Sequence, residues 1–129
     1  MPTLSITTHK KREVLDITEE VSRGIAKKTV LVHVFVAHTT AAITTADLDP
    51  GTDLDLLDAL ADLLPDKQWR HPHDPAHAPD HLLASIVGPS VTVPCAQEKL
   101  LLGTWQRIIL IEFDGPRSRT VNVTHIQVN

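Results

Sequence analysis

Apolar and polar positions alternate over residues 4–8 and again over 13–17, a period of two that predicts two strands separated by the basic turn Lys10-Lys11-Arg12. A short helix is expected next. It opens at Asp16 or Thr18, carries Glu19 and Glu20 in its first turn, sets Val21 and Ile25 four apart, and ends near Lys27 and Lys28. Residues 30–36 are almost continuously apolar and rich in valine, which predicts a central strand buried on both faces with His33 as its one polar interruption. A short strand over 41–45 and a turn over 47–51 lead into a helix from about Thr52, whose buried face reads as Leu54, Leu57, Ala61 and Leu64.

Residues 65–79 carry Pro, His and Asp with no period, a loop of a length that often goes with function. Pro79 fits the first position of a helix running through His81-Leu82-Leu83-Ala84-Ser85 toward Gly88, because its missing N–H costs nothing there. Further strands are predicted over 90–93, near 99–102, over 106–113 and over 120–128. The last two are joined by the tight Asp114-Gly115-Pro116 turn, and the apolar register shifts between Val123 and Ile126, which places a bulge around Thr124 or His125. Few helices and a tight final turn argue against a parallel sheet. The expected fold is α+β: one domain over residues 1–129, a mixed, largely antiparallel sheet or sandwich with about three helices against one face.

Composition narrows the partners. With 129 residues and 42% hydrophobic content the chain suits one core. The apolar runs at 30–36 and 108–111 fall far short of the roughly 20 residues that cross a bilayer, and the N-terminus lacks the pattern of a secretory signal, so no membrane partner and a cytoplasmic location are expected. Cys95 is the only cysteine, which excludes an intrachain disulfide and a zinc site built of cysteines alone. A net charge of −4, no dense basic run beyond Lys10-Lys11-Arg12, and only Trp69, Trp105, Phe35 and Phe113 as aromatic residues leave nucleic acid an unexpected partner. The eight histidines are the compositional oddity.

Three constellations can carry chemistry. His38-Thr39-Thr40 follows the apolar strand, where an imidazole and two hydroxyls can meet a phosphate or a metal; the alternative is a turn whose threonines satisfy backbone groups. His71, His73, His77 and His81 offer imidazoles to zinc or a similar ion, although Pro72, Pro75 and Pro79 interrupt the spacing of a zinc helix and solvated loop histidines are the plainer reading. In the third, Glu112 and Asp114 share a face by the period of two and Arg117 emerges after the turn, so the acids can hold an ion and the guanidinium a phosphate. Its structural counterpart is a surface ion pair from Glu112 to Arg117 or Arg119. Trp105 reads as a core residue.

The strings His38-Thr39-Thr40-Ala41-Ala42-Ile43-Thr44, Asp49-Pro50, His81-Leu82-Leu83-Ala84-Ser85, Gly88-Pro89-Ser90-Val91-Thr92-Val93-Pro94, Leu102-Gly103-Thr104-Trp105-Gln106 and Glu112-Phe113-Asp114-Gly115-Pro116-Arg117 stand in the order and approximate spacing of the YjbQ family. Six strings over about 31–119 make the chain similar to that family as a whole. Two departures stand out. This chain has Thr45-Ala46-Asp47-Leu48 where members carry an Asn-Glu-Asn-like string, leaving Asp47 in place of the acid, and Ala76-His77-Ala78 where they read Gly-Asn-Ala.

The resemblance implies a homotrimer with its polar residues in a cleft near subunit contacts, and a secondary thiamine-phosphate synthase activity that joins a pyrimidine pyrophosphate to a thiazole phosphate. Such chemistry asks for a divalent ion, Mg2+, on the leaving pyrophosphate and for donors that absorb its charge. It implies His38, Thr39, His81 and Asp49 as the catalytic group, and Thr40, Ser85, Trp105, Gln106 and Arg117 as substrate-binding residues. Asp49, Glu112 and Asp114 are assigned to that ion with His38 and His81 as proton-transfer or metal groups, and the candidate metal ligands as a set are His38, His71, His81, Glu112 and Asp114. One alternative is a different metal-assisted reaction on a small phosphorylated molecule, with Zn2+ or a similar ion held by His38, His71 and His81. Another is a non-enzymatic trimeric binding module in which Trp105, Gln106 and Phe113 sit at subunit contacts.

Overall fold

The computed structural model describes residues 3–71 and 74–129, so His73 of the histidine-rich loop lies outside the described residues. In chain order the strands are β1 (Thr3–Thr7), β2 (Glu13–Asp16), β3 (Thr29–Val36), β4 (Ala41–Ala46), β5 (Ser90–Ala96), β6 (Lys99–Leu100), β7 (Arg107–Glu112) and β8 (Ser118–Gln127). The helices are α1 (Thr18–Ser22), α2 (Thr52–Leu63) and α3 (Ala78–Val87), the last preceded by a short 3-10 helix at Pro75–His77. A five-stranded sheet in the order β1-β8-β3-β5-β6 faces a three-stranded sheet in the order β2-β7-β4. Every described pairing is antiparallel, so no parallel strand mixes into either sheet.

Strand β7 explains the layering. Its Ile108 and Leu110 enter the core between the sheets with Val32, Val34, Val93 and Val121, while Ile109 and Ile111 face Leu60 of α2 and Leu83 and Ala84 of α3. The order of layers is therefore sheet, sheet, helices. Each such buried side chain contributes about 1.5–3 kcal/mol, so the unbroken apolar run of β7 belongs to the strand covered on both sides.

The double burial expected of β3 belongs to β7 instead. Val32, Val34 and Val36 are buried, but Leu31 and His33 are half-buried and Phe35 is 37% exposed, because among the described residues no element lies over the outer face of the five-stranded sheet. Helix α2 also takes a different phase from the expected one. Leu56, Leu57, Leu60 and Leu64 pack inward, while Leu54 is 59% exposed and Ala61 is exposed. Leucines stand on more than one side of this helix, and its packing beside β2 selects among them. Helix α1 stops at Ser22, short of the lysines, and the bulge falls on β3 between Thr29 and Leu31, opposite Gln127 and Ile126, not near Thr124.

The Asp114-Gly115-Pro116 turn does not close a hairpin. It carries the chain from β7 in the small sheet across to β8 in the large one. The ends of β1, β3 and β7 and the starts of β4 and β8 meet at this crossover, where the backbone of Thr8 bonds to Arg117 and that of Phe113 to Thr40.

Candidate functional site

A buried ion pair sits behind the crossover. The alternation of β8 that sends Val121 and Val123 inward also sends Arg119 inward, where it is 1% exposed against a Glu112 that is 0% exposed. Arg119 Nε donates to Glu112 Oε1 at 2.9 Å and its Nη2 to Oε2, and the same nitrogen donates to Thr40 Oγ1 at 2.8 Å. Thr8 Oγ1 donates to Glu112 Oε1 at 2.7 Å and the Asp114 N–H to Oε2 at 3.1 Å. Burial works to raise the Glu112 pKa, but the bonds from Arg119, Thr8 and the Asp114 N–H outweigh it and hold the carboxyl below the usual range. The pair of Glu112 with Arg119 named from the sequence is thus real but internal, because β8 turns its second residue toward the core.

Gly115 lets the crossover pass this close. A Cβ there would stand 2.3 Å from the Lys10 carbonyl oxygen, 2.8 Å from Glu112 Cγ and 2.9 Å from Thr8 Oγ1. Any side chain there would force the backbone at Lys10 to shift. The Gly115-Pro116 peptide bond is cis.

Outside the pair runs a chain of alternating charge. Arg12 donates to Asp80 at 3.0 Å, Lys11 Nζ bridges Asp80 at 2.7 Å and Asp114 at 2.8 Å, and Arg117 closes the row on Asp114 at 3.1 Å. Asp80 is 1% exposed in the first turn of α3, where an acid also suits the positive end of the helix. Burial disfavours the Lys11 ammonium, but its bonds to Asp114 and Asp80 more than compensate and raise its pKa. Burial of Asp114 is likewise outweighed by Lys11, Arg117 and His77, which lower its pKa. The row begins and ends on a guanidinium. Arg117 is half exposed and uses Nε on the Asp114 carbonyl and one Nη on its carboxylate, so it keeps N–H donors for a further acceptor.

His38 stands beside this row. Its Nε2 accepts the Thr120 N–H at 2.9 Å, and its pKa is lowered, first by burial and then by the Arg119 and Arg117 charges, against an opposing pull from Glu112. With Thr39, Ala41, Ala84, Ser85 and Pro89 it lines a cleft of about 180 Å³ along one flank of α3. One helical turn before Ser85, His81 lines a second cleft of about 380 Å³ with Lys67, Trp69, Arg70, His71 and Leu82. The His81 and His71 rings lie 4.8 Å apart. Pro79 occupies the first turn of α3 and does not break it, so His77 stands at the N-terminal boundary of the helix that carries His81, with no capping bond from its side chain.

The expected metal donors meet a specific difficulty here. Both oxygens of Glu112, both of Asp80 and both of Asp114 already face a cationic nitrogen, so a divalent cation would have to displace Lys11, Arg12, Arg117 or Arg119. Among the described residues no three His, Cys, Asp or Glu side chains group as a ligand set. The His71 and His81 pair supplies two imidazoles, fewer than the three or four protein ligands typical of zinc. This donor set does not fit an ion at the acids.

Three named residues lie elsewhere. Asp49 lines a depression of about 210 Å³ with Asp16, Asp47, Thr104, Trp105 and Arg107, and Gln106 lines its neighbour with Thr45, Asp47 and Trp105. That is the far end of β4 and β7, some five residue steps or roughly 17 Å from the crossover. Trp105, expected in the core, is 73% exposed, because it sits in the turn before β7 and not on the strand. Phe113 is buried against the helices. Thr40 holds Arg119 and Thr39 borders the His38 cleft, while Thr8, Lys11, Arg12 and Asp80 are site residues that sequence reading missed.

The comparisons with known proteins agree on one family. Residues 2–128 match the family model described as UPF0047 protein YjbQ-like. A UPF0047 protein of Archaeoglobus fulgidus is 41% identical over 121 residues, covering 93% of this chain and 96% of that protein. The UPF0047 protein YugU of Bacillus subtilis is 38% identical over 129 residues, covering 93% and 94%. Among solved structures, a hypothetical protein from Aeropyrum pernix K1 superposes with a TM-score of 0.89 at 34% identity over 98% of each chain. A YbjQ-like protein of unknown function from Sulfolobus solfataricus P2 gives 0.87 at 34% identity over 95% and 92%. With nearly its whole length matched in sequence and in backbone, the chain belongs to the YjbQ-like UPF0047 family.

Proposed function

We propose that this protein is an enzyme acting on a phosphorylated small molecule, and that the crossover end of the sandwich is where the phosphate binds. One observation carries the reading: the row from Arg12 to Arg117 holds three cations to two carboxylates, and its outer, half-exposed guanidinium keeps unused donors beside His38. A site with that balance suits an anion. The specific form taken from the family resemblance is the thiamine-phosphate synthase reaction, with Arg117 on phosphate, Lys11 offsetting charge nearby, and His38, His81 and Ser85 bordering the two clefts along α3. Magnesium would enter with the pyrophosphate it neutralises, since the acids here are already matched.

Calorimetric titration of the purified protein with inorganic phosphate and with pyrophosphate tests the reading. Binding is expected for wild type, weakened at least tenfold, or about 1.4 kcal/mol, in Arg117→Met. Absence of binding by wild type would reject it. The synthase form is tested separately by incubating the protein with the two precursors and magnesium and looking for thiamine phosphate. Elemental analysis of protein purified without added metal tests the zinc alternative at His71 and His81.

A second reading, assembly into a homotrimer with or without catalysis, is favoured by the outer face of the large sheet. Leu31, Phe35, Thr92, Thr120, Asn122 and Ile126 lie there with no formal charge among them, and Phe35 and Ile126 are exposed.

A further inference from the structure

We infer that His38 is held as the neutral imidazole with its proton on Nδ1, and that it serves the bound molecule as a hydrogen-bond donor, neither as a general base nor as a metal ligand. The inference rests on the reading of this end as an oxyanion site and names the role of one residue in it.

The argument starts from a peptide group. A backbone N–H donates and cannot accept, and the Thr120 N–H meets His38 Nε2 at 2.9 Å. Nε2 must therefore present its lone pair. A neutral imidazole carries one proton, which is left to Nδ1. Protonating Nε2 would set one N–H against another, and turning the ring over would place a carbon against the Thr120 N–H and lose the bond.

The surroundings favour the same state. The charged groups near the ring are Arg119, Arg117 and Glu112, and the last is already matched by Arg119. Thr120 belongs to β8, and its carbonyl accepts the Ala37 N–H at 3.1 Å, which anchors the backbone just before His38. The ring is thus held by Thr120 through Nε2, and the backbone beside it by the same residue.

Among the described residues no acceptor takes the Nδ1 proton, while the ring borders the cleft that holds the Ser85 hydroxyl. What the cleft offers a ligand at this point is a neutral N–H donor. A phosphoryl or carbonyl oxygen satisfies it; a metal cation does not, because Nδ1 would have to shed its proton while Nε2 still accepts one bond.

Long-range nitrogen–proton correlation NMR of histidine-labelled protein, with and without inorganic phosphate, reads the state directly. His38 is expected to show the Nδ1–H pattern in the free protein at neutral pH, and its Nδ1 resonance to move on phosphate addition. An Nε2–H pattern or an imidazolium at neutral pH would overturn the inference even if phosphate binds. A His38→Gln variant, whose amide reaches the Nε2 position, should lose about tenfold in phosphate affinity. His38→Asn, which returns an N–H near the Nδ1 position, should recover part of that loss, and equal losses in the two variants would count against the donor role. If wild type shows the expected tautomer but binds no phosphate anywhere, the phosphate reading fails and the donor role falls with it, while the fixed tautomer stands.

Discussion

Replacing Arg119 by methionine tests whether the buried pair holds the crossover together. The substitution keeps a long apolar stem but removes the guanidinium from a position that is 1% exposed, leaving Glu112 at 0% exposure with only Thr8 Oγ1 and the Asp114 N–H as donors. Breaking a buried pair from one side costs about 3–5 kcal/mol, because the remaining carboxylate is neither hydrated nor matched. For 129 residues an unfolding entropy of about 2.1 cal/mol/K per residue makes each kcal/mol worth about 4 °C, so the melting midpoint should fall by about 12–20 °C. Calorimetry at neutral pH measures it. The double variant Glu112→Leu with Arg119→Met should recover much of the loss, since two matched apolar side chains leave no orphaned charge. A single variant that melts within about 3 °C of wild type would refute the reasoning, and so would a double variant no better than the single one.

The other predictions are shorter. Because the Glu112 and Asp114 pKa values are depressed in the folded protein, their stabilisation is present above the unfolded carboxylate pKa and is lost as pH falls through the lower folded values; acid unfolding by circular dichroism should therefore be shallower in Glu112→Gln than in wild type. Gly115→Ala should cost about 1–3 kcal/mol, visible as a midpoint lowered by about 4–12 °C, because its methyl group meets the Lys10 carbonyl. Under the trimer reading, Phe35→Glu should leave the fold intact by circular dichroism and give monomer where wild type gives trimer in light scattering; a wild type that is itself monomeric would remove that reading.

How much of this was legible in the sequence depends on whether one strand's own pattern was enough. The run Ile108-Ile109-Leu110-Ile111 announces a doubly covered strand, and Pro79 marks the opening turn of α3. The valines of β3 look the same as those isoleucines, yet only one face is covered, because coverage is a property of the neighbouring layer and not of the strand. Arg119 obeys the inward phase of Val121 and Val123, so its burial was readable from the period of two once β8 was extended back to Ser118. Lys11, Arg12 and Asp80 were not readable. They stand 69 and 68 positions apart, and an acid in a helix's first turn looks like an ordinary partner of the helix dipole.

The site's divided geometry follows from the same topology. Strands β4 and β7 run antiparallel, so the segment before β4 and the segment after β7 meet at one end, which brings Thr40 to Phe113 and His38 toward Arg117. For the same reason the segment after β4 and the segment before β7 meet at the other end, which sets Asp47 and Asp49 beside Trp105. Motif residues that are interleaved along the sequence are therefore sorted into two groups by strand direction alone. The crossover end collects cations, already matched acids and a polarised imidazole; the far end collects exposed acids and an uncovered indole. Within one chain a single ligand of ordinary size touches one group only, so under the proposed reading a phosphate at Arg117 and His38 leaves Asp49, Trp105 and Gln106 to a different part of the ligand or to another surface.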